Sequence, residues 1–136
     1  MKALLSLIPA LFFSTALLLN PTAAKAQHLQ LPLTIERYMS TASEIDVSSY
    51  IKNIEQYVGF RLVAIEVIAS ALNESAEMTL HINGTRQGPI LELGQVILNY
   101  RVVPNSNFLV GQGAEQIKLI TTKPAYVKNV NVILTR

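Results

Sequence analysis

The chain has 136 residues, half of them hydrophobic, and it contains no cysteine. This composition excludes disulfide scaffolds, thiolate metal sites and thiol catalysis, and the length suits one packed domain behind an N-terminal segment. The 11 basic and 9 acidic residues are scattered singly along the chain, so we find no clustered basic footprint for nucleic acid.

The N-terminal segment has the three parts of an export signal. Lys2 supplies a positive start, residues 3–19 are almost entirely apolar, and residues 24–26 (Ala-Lys-Ala) match the small-x-small site of signal peptidase. The apolar run is shorter than the ~20 residues that a membrane-spanning helix needs. We therefore predict a cleaved signal peptide over 1–26 and a bacterial, exported domain over 27–136. It would be periplasmic or extracellular and have no stable membrane span.

Cleavage also changes the charge of the protein. Removing Lys2 and Lys25 from the 11 basic residues leaves 9, which equals the number of acidic residues. The mature domain is therefore formally neutral, although the whole chain carries +2. Because binding to nucleic acid depends on a positive charge, we expect no nucleic-acid partner.

The mature domain begins with an alternating segment, residues 28–36. Its inward-facing set would be Leu29, Leu31, Leu33 and Ile35. Period-two alternation is typical of a half-buried strand, and Pro32, which cannot donate a ladder hydrogen bond, favours a strand at a sheet edge. Such a segment could instead be donated to a neighbouring subunit. We favour an ordinary first strand, since sequential strands usually pair locally.

The next segment changes to helical spacing. Its apolar positions are Val47, Tyr50, Ile51, Ile54, Tyr57 and Val58. Ser43 followed by Asp46 resembles a capping box, and Gly59 is a suitable stop. The pattern predicts one short α-helix over about residues 44–58.

The remainder of the chain indicates strands. Residues 62–72 are rich in Val, Ile and Ala on both faces, which favours a central strand. Residues 76–82 alternate, and Asn83-Gly84 is a strong hairpin signal, although Gly88-Pro89 suggests that the loop continues further. The later apolar runs are 90–93, 96–103, 117–122 and 126–134. Seven or eight short strands and one helix predict a mainly β fold, a β-sandwich or jelly-roll-like arrangement of antiparallel sheets.

Residues for catalysis are scarce in the mature domain. It has one aspartate, Asp46, and two histidines, His28 and His81. Asp46 is explained by the expected helix start, and His81 by the solvated face of a strand. No calcium loop, phosphate loop or dinucleotide motif is present. We therefore predict no catalytic residue, no metal ligand and no cofactor.

Two glutamates lie within apolar strand segments, Glu66 and Glu92. A buried carboxylate with a raised pKa would indicate a functional site. The competing interpretation is that each lies on a partly solvated sheet face or pairs with a basic neighbour such as Arg61 or Arg101. We favour that interpretation, because structural ion pairs also place charges in strands.

The candidate binding residues are aromatic and polar side chains near strand ends and loops. They are Tyr38, Arg86, Asn105, Asn107 and Tyr126. Tyrosine rings can stack on a ligand, and the amide and guanidinium groups can add hydrogen bonds. Binding sites on sandwich folds commonly lie at one end, which is an expectation from fold analogy.

These observations favour an exported, non-catalytic β-sandwich module that binds a surface or envelope ligand, either a glycan, a peptide or another protein. The alternative is a structural or assembly subunit, and thus a homo-oligomer, that uses strand 28–35 for subunit contacts. A small secreted hydrolase is the least favoured interpretation, because so few acid, base and nucleophile sets can be assembled.

Overall fold

The computed structural model describes residues 28–40 and 43–136. The predicted signal peptide over 1–26 therefore lies outside the described residues. Within the described part, no helix is long and apolar enough to cross a membrane.

Ten strands and two short 3-10 helices make up the described part of the chain. The strands are β1 (His28–Met39), β2 (Glu44–Asp46), β3 (Arg61–Ala71), β4 (Ala76–Ile82), β5 (Thr85–Leu93), β6 (Leu98–Val102), β7 (Leu109–Val110), β8 (Gly113–Ala114), β9 (Ile117–Thr121) and β10 (Ala125–Thr135). The 3-10 helices are Val47–Tyr50 and Ile54–Tyr57.

The strands form two sheets. The smaller sheet has the order β2-β9-β4-β5, and the larger has the order β1-β10-β3-β7-β8, with β6 also paired to β3. All pairings are antiparallel except the short one between β7 and β8. The predicted mainly β, sandwich-like fold class with antiparallel sheets is confirmed.

The core is filled by the inward-facing side chains of both sheets. Leu80 and Leu119 are register partners on the smaller sheet, and both are fully buried. On the larger sheet, Ile65 and Val132 form an equivalent buried pair. Burying each such side chain contributes about 1.5–3 kcal/mol. Since the chain has no cysteine, this packing stabilises the fold without disulfides.

The first strand is an edge strand, as predicted. β1 lies at one end of the larger sheet and pairs with β10 over nearly its whole length, from His28 opposite Thr135 to Met39 opposite Ala125. Pro32 lies in the middle of this strand, opposite Asn131. Edge prolines hinder pairing with other chains. The strand therefore belongs to the chain's own sheet and is not free for donation.

The central strand was also predicted correctly. β3 lies between β10 and β6 in the larger sheet. Its inner residues are buried, whereas Glu66 and Ile68, on the other face, are half-buried. This strand carries side chains into the core and presents polar ones on the opposite side of the sheet.

The predicted α-helix over residues 44–58 is wrong. Glu44–Asp46 forms strand β2 on β9, and the two 3-10 helices follow it. Ile51 has an extended backbone and Asn53 a left-handed one (φ 53°), so an α-helix cannot pass through this segment. The apolar spacing suggested an α-helix because 3-10 helices also bring residues i and i+3 together. Serine, asparagine and β-branched residues also have weak helix propensity.

The hairpin at Asn83-Gly84 is confirmed as a two-residue turn between Ile82 and Thr85. Both turn residues have positive φ, 50° and 87°, as a type I′ turn requires. The expected extension of the loop through Gly88-Pro89 is wrong. Gly88 instead lies inside β5, where the register with β4 shifts.

The side chain of Asn83 joins this hairpin to the loop before β9. Its Nδ2 donates to Gly113 O at 3.0 Å and to Glu115 Oε1 at 2.6 Å, and its Oδ1 accepts from Gln116 N at 2.8 Å. The Asn83 hydrogen bond, together with the one from Gly113 N to Oε2, holds the pKa of Glu115 below its usual value of 4.5. The ionised carboxylate is thus the form that the folded loop stabilises.

This depressed pKa predicts a pH-dependent contribution to stability. Because the folded pKa lies below the unfolded one, the contribution is present above pH 4.5 and is lost as the pH falls through the folded pKa. Urea midpoints of the wild type and Glu115→Gln should therefore differ at pH 7, with the wild type more stable, and should converge in acid. A difference that stays constant from pH 7 to pH 3 would contradict this assignment.

Candidate functional site

The outward-facing surface of the larger sheet, opposite the core, is the candidate site, and we call it the outer face. Its direction is defined by β10, in which Val127, Val130 and Val132 are buried in the core. Side chains alternate across a strand. Tyr126 and Asn131 therefore lie on the outer face, and their register partners on neighbouring strands share it.

An aromatic pair occupies one end of the outer face. Tyr38 on β1 and Tyr126 on β10 are register partners, with ring centroids 4.6 Å apart and planes inclined by 40°. The side chain of Tyr38 is 71% exposed. Tyr126 in turn lies opposite Ser70 on β3. The pair presents an aromatic surface at this end of the sheet, with Tyr38 exposed and Tyr126 half-buried.

Four polar side chains form a row across neighbouring strands of the outer face, at a distance along the strands from the tyrosine pair. Asn131 Nδ2 donates to Gln30 Oε1 at 3.1 Å and to Glu66 Oε1 at 3.2 Å. Arg101 NH1 donates to Glu66 Oε2 at 2.9 Å, in an ion pair that is partly solvent-exposed. The row therefore spans β1, β10, β3 and β6, and we call it the polar row.

Between the tyrosines and the polar row lies a third line of register partners. It consists of Thr34, Asn129, Ile68 and Asn99. The register shifts between Val127 and Asn129, where β10 has one extra residue relative to β3 and β1 has one extra residue relative to β10. A hydroxyl and two amides thus continue the hydrogen-bonding surface from the polar row towards the aromatic pair.

The polar row balances its own charges. Arg101 neutralises Glu66, and the amides of Asn131 and Gln30 complete the line. Asn131 Oδ1 is buried and has no hydrogen-bond donor in the described part of the chain. An unmet buried acceptor costs about 1–3 kcal/mol. The polar row therefore contains one buried acceptor that its own side chains leave unsatisfied.

The predicted site residues fall into two groups. Tyr38 and Tyr126 lie together on the outer face. Arg86 is exposed on the smaller sheet, opposite His81. Asn107 is exposed in the loop after β6.

Asn105 belongs to the same region as Arg86, but it has a structural role. Its Oδ1 accepts from Gly88 N at 3.2 Å, and its backbone N–H donates to Gln87 Oε1 at 3.1 Å. These contacts fasten the loop after β6 to β5. The structure thus unites the two tyrosines and leaves the other three predicted residues away from them.

The two glutamates singled out in the sequence lie on different sheets. Glu66 is on the outer face of the larger sheet and pairs with Arg101, as the ion-pair interpretation expected. Glu92 is exposed on the smaller sheet, directly opposite Glu77. Because the core separates these surfaces, Glu66 and Glu92 cannot act together on one substrate. Within residues 28–40 and 43–136, no group of three or more His, Asp or Glu side chains could hold a metal ion.

The sequence did not identify most of the polar row. Gln30, Asn131 and Arg101 each occupy an ordinary outward position in an alternating strand, and nothing local distinguishes them from solvated side chains. The detectable signal was Glu66 within an apolar strand. Arg101 was one of the two basic partners considered for it, whereas Asn131 and Gln30 became visible only through the register of β10 with β3 and β1.

The comparisons with known proteins support the fold but do not assign the chain to a family. No family model matches the chain, and no curated protein matches its sequence. The fold is similar to that of the tobacco streak virus coat protein, with a TM-score of 0.54 and 6% identity over 80% of this chain and 85% of that one. A structure of that coat protein as a dimer gives 0.55, also with 6% identity, over 80% and 86%.

A weaker similarity links the chain to the catalytic unit of an α-1,3-glucanase of the GH87 class from Streptomyces thermodiastaticus strain HF3-3. The TM-score is 0.45 with 10% identity over 77% of this chain, which spans about a quarter (25%) of that protein. The coat-protein similarity shows a jelly-roll-like sandwich in this chain.

Proposed function

We propose that this chain is an exported, non-catalytic β-sandwich module that binds a glycan of the cell envelope or surroundings across its outer face. The observation that carries the proposal is the Tyr38–Tyr126 pair, with Tyr38 exposed and Tyr126 half-buried, on the same sheet face as the polar row. A sugar ring has an apolar face that stacks on aromatic rings and an equatorial rim of hydroxyls that donate and accept hydrogen bonds. The outer face offers both kinds of surface.

The spacing of these features suits an oligosaccharide. Tyr126 and Asn131 are five positions apart on β10, one of which is the extra residue of β10 relative to β3. At about 3.3 Å per residue the aromatic pair and the polar row are roughly 13–16 Å apart, enough for about three sugar rings. A glycan lying along β10 would contact the tyrosines, the amide of Asn129 and the polar row in turn.

The chemistry of this face supports binding over catalysis. Glycoside hydrolysis generally needs two carboxyl groups flanking the bond to be cleaved. Among the aromatic pair, the polar row and the line of side chains between them, Glu66 is the one carboxylate, and Arg101 holds it in an ion pair. This arrangement suits a hydrogen-bonding role for Glu66 and favours a non-catalytic module.

A glycan array followed by titration with the best-bound oligosaccharide tests the proposal. Tyr38→Ala should weaken binding about tenfold or more, because it removes an exposed stacking surface. Tyr38→Phe keeps the ring and should remain within about threefold of the wild type. Arg101→Ala should also weaken binding, whereas Arg86→Ala, a matched exposed arginine on the other sheet, should not.

Two outcomes would count against a glycan ligand. One is an array without any bound glycan. The other is a bound glycan whose affinity is the same for Tyr38→Ala and the wild type.

A structural or assembly role is the second candidate function. Two observations support it: the similarity to a coat protein, one structure of which is a dimer, and the exposed apolar residues Val96, Ile97 and Leu98. These residues lead into β6, whose second edge pairs with no strand of the described residues. Sedimentation equilibrium separates the candidates, since a homo-oligomer through β6 requires a concentration-dependent mass and a simple binding module does not.

A further inference from the structure

A concave site lies at the free edge of β1, beside the outer face, with which it shares Thr34. It is an open cleft between this strand and the two 3-10 helices, with a volume of about 530 Å³. Small-molecule sites commonly measure roughly 300–1,000 Å³. Its lining comprises Leu31, Pro32, Leu33, Thr34, Tyr50, Ile51, Lys52 and Tyr57.

The walls of the cleft are mainly apolar and aromatic. Leu31 and Leu33 are half-buried at the edge of the core, and Ile51 is buried beneath the cleft. Tyr50 and Tyr57 are also half-buried, one from each 3-10 helix. Tyr57 is held from behind by an edge-to-face contact with Phe60, at a centroid distance of 5.8 Å. Tyrosine rings thus line one side of the cleft, and apolar side chains lie beneath it.

The charge in the lining is carried by one residue, Lys52. This lysine lies in the turn between the two 3-10 helices, next to Asn53 with its left-handed backbone, and its side chain is exposed. It forms no ion pair within the described part of the chain, where the lysines at 118 and 123 both do. No carboxylate lines the cleft. An apolar cleft with one uncompensated cation at its rim is complementary to a molecule with an apolar body and one anionic group.

We propose that this cleft binds a small amphipathic carboxylate, with its apolar body against Leu31, Leu33 and the two tyrosines and its carboxylate at Lys52. Leucine and tyrosine walls accept both alkyl and aryl bodies, and the experiment distinguishes the two. The Tyr50 and Tyr57 hydroxyls have no hydrogen-bond partner in the described residues, and Thr34 adds a third hydroxyl at the lining. These groups supply the polar contacts that orient such a ligand.

Calorimetric titration of residues 27–136 with decanoate and 2-naphthoate tests the proposal, with decan-1-ol as the uncharged reference. At least one carboxylate should bind, and decan-1-ol should bind more weakly than decanoate if the alkyl form is preferred. Lys52→Met should weaken carboxylate binding about fivefold or more, and Lys52→Arg should restore most of it. Lys123→Met, in the turn that precedes β10, is the matched control and should bind as the wild type does.

Failure of both carboxylates to bind would overturn the proposal, as would equal affinity of the wild type and Lys52→Met. A carboxylate that binds the wild type and loses affinity equally in the Lys52 and Lys123 variants would also overturn it, because a nonspecific charge effect would then be responsible. The carboxylate proposal for the cleft and the glycan proposal for the outer face can be tested separately, because Lys52→Met should leave glycan binding unchanged.

Discussion

Deleting residues 28–36 is expected to leave no folded monomer. These residues form most of β1, which pairs with β10 from His28 onwards and packs Leu31, Leu33 and Ile35 against the core. Their removal would expose the edge of β10 and the apolar side chains behind it. Each large side chain contributes about 1.5–3 kcal/mol when fully buried. The summed loss is comparable to the total stability of a small domain, about 5–15 kcal/mol.

Circular dichroism and thermal melting of residues 37–136, compared with residues 27–136, would measure this effect. The longer protein should melt cooperatively, and the truncated one should show no cooperative transition. A truncated protein that stays monomeric and melts like the longer one would contradict the internal role of β1. That result would favour the alternative in which this segment is donated to a neighbouring subunit.

Gly88→Ala is expected to destabilise the domain by about 2–4 kcal/mol, combining overpacking with an unfavourable backbone conformation. A Cβ atom at Gly88 would lie 2.6 Å from Val102 Cγ1 and 3.0 Å from Val103 O. Val102 is fully buried, so its side chain cannot turn away. The φ of Gly88 is also +75°, which is unfavourable for alanine. This glycine is where β5 of one sheet passes close to β6 of the other.

Gly94→Ala is the matched control for this substitution. A Cβ atom at Gly94 would meet no heavy atom of the described residues within 4 Å apart from its chain neighbours, and the φ of Gly94 is not positive. Its replacement should change the free energy of unfolding by less than about 0.5 kcal/mol, as exposed substitutions usually do. Urea denaturation of both variants measures the contrast, and equal midpoints would show that β5 and β6 are not in close contact at Gly88.

Local patterns were sufficient for elements with one buried face. The alternation in 28–36 predicted an edge strand, and Asn83-Gly84 predicted a tight turn, because each signal depends on neighbouring residues alone. Residues 44–58 show the limit of this reasoning. The apolar spacing fits both an α-helix and a pair of 3-10 helices, and it does not show the extended backbone at Ile51 or the left-handed one at Asn53 that exclude an α-helix.

The candidate site was only partly predictable for a different reason. Tyr38 and Tyr126 were each identifiable as tyrosines near strand ends or loops, but their contact depends on the pairing of β1 with β10. Asn131 and Gln30 are 101 residues apart and meet through the same pairing. A single sequence contains each strand's face pattern but not the register between distant strands. The polar row therefore required the structure.

The cleft at the edge of β1 could not be predicted from the sequence either. Tyr50 and Tyr57 were interpreted as core positions of a helix, and the spacing gave no sign of a cavity. In the structure they are half-buried and line the cleft with Lys52. The cleft lies between the two 3-10 helices that replace the expected helix and the edge of β1.

The central claim is that a glycan binds across the outer face of the larger sheet. The most direct measurement is an NMR titration of isotope-labelled residues 27–136 with the oligosaccharide selected on the array. We expect the chemical-shift changes to concentrate on Tyr38, Tyr126, Asn129 and Asn131, with little change at Arg86. Changes confined to the smaller sheet around Arg86, or to the cleft around Lys52, would contradict the claim.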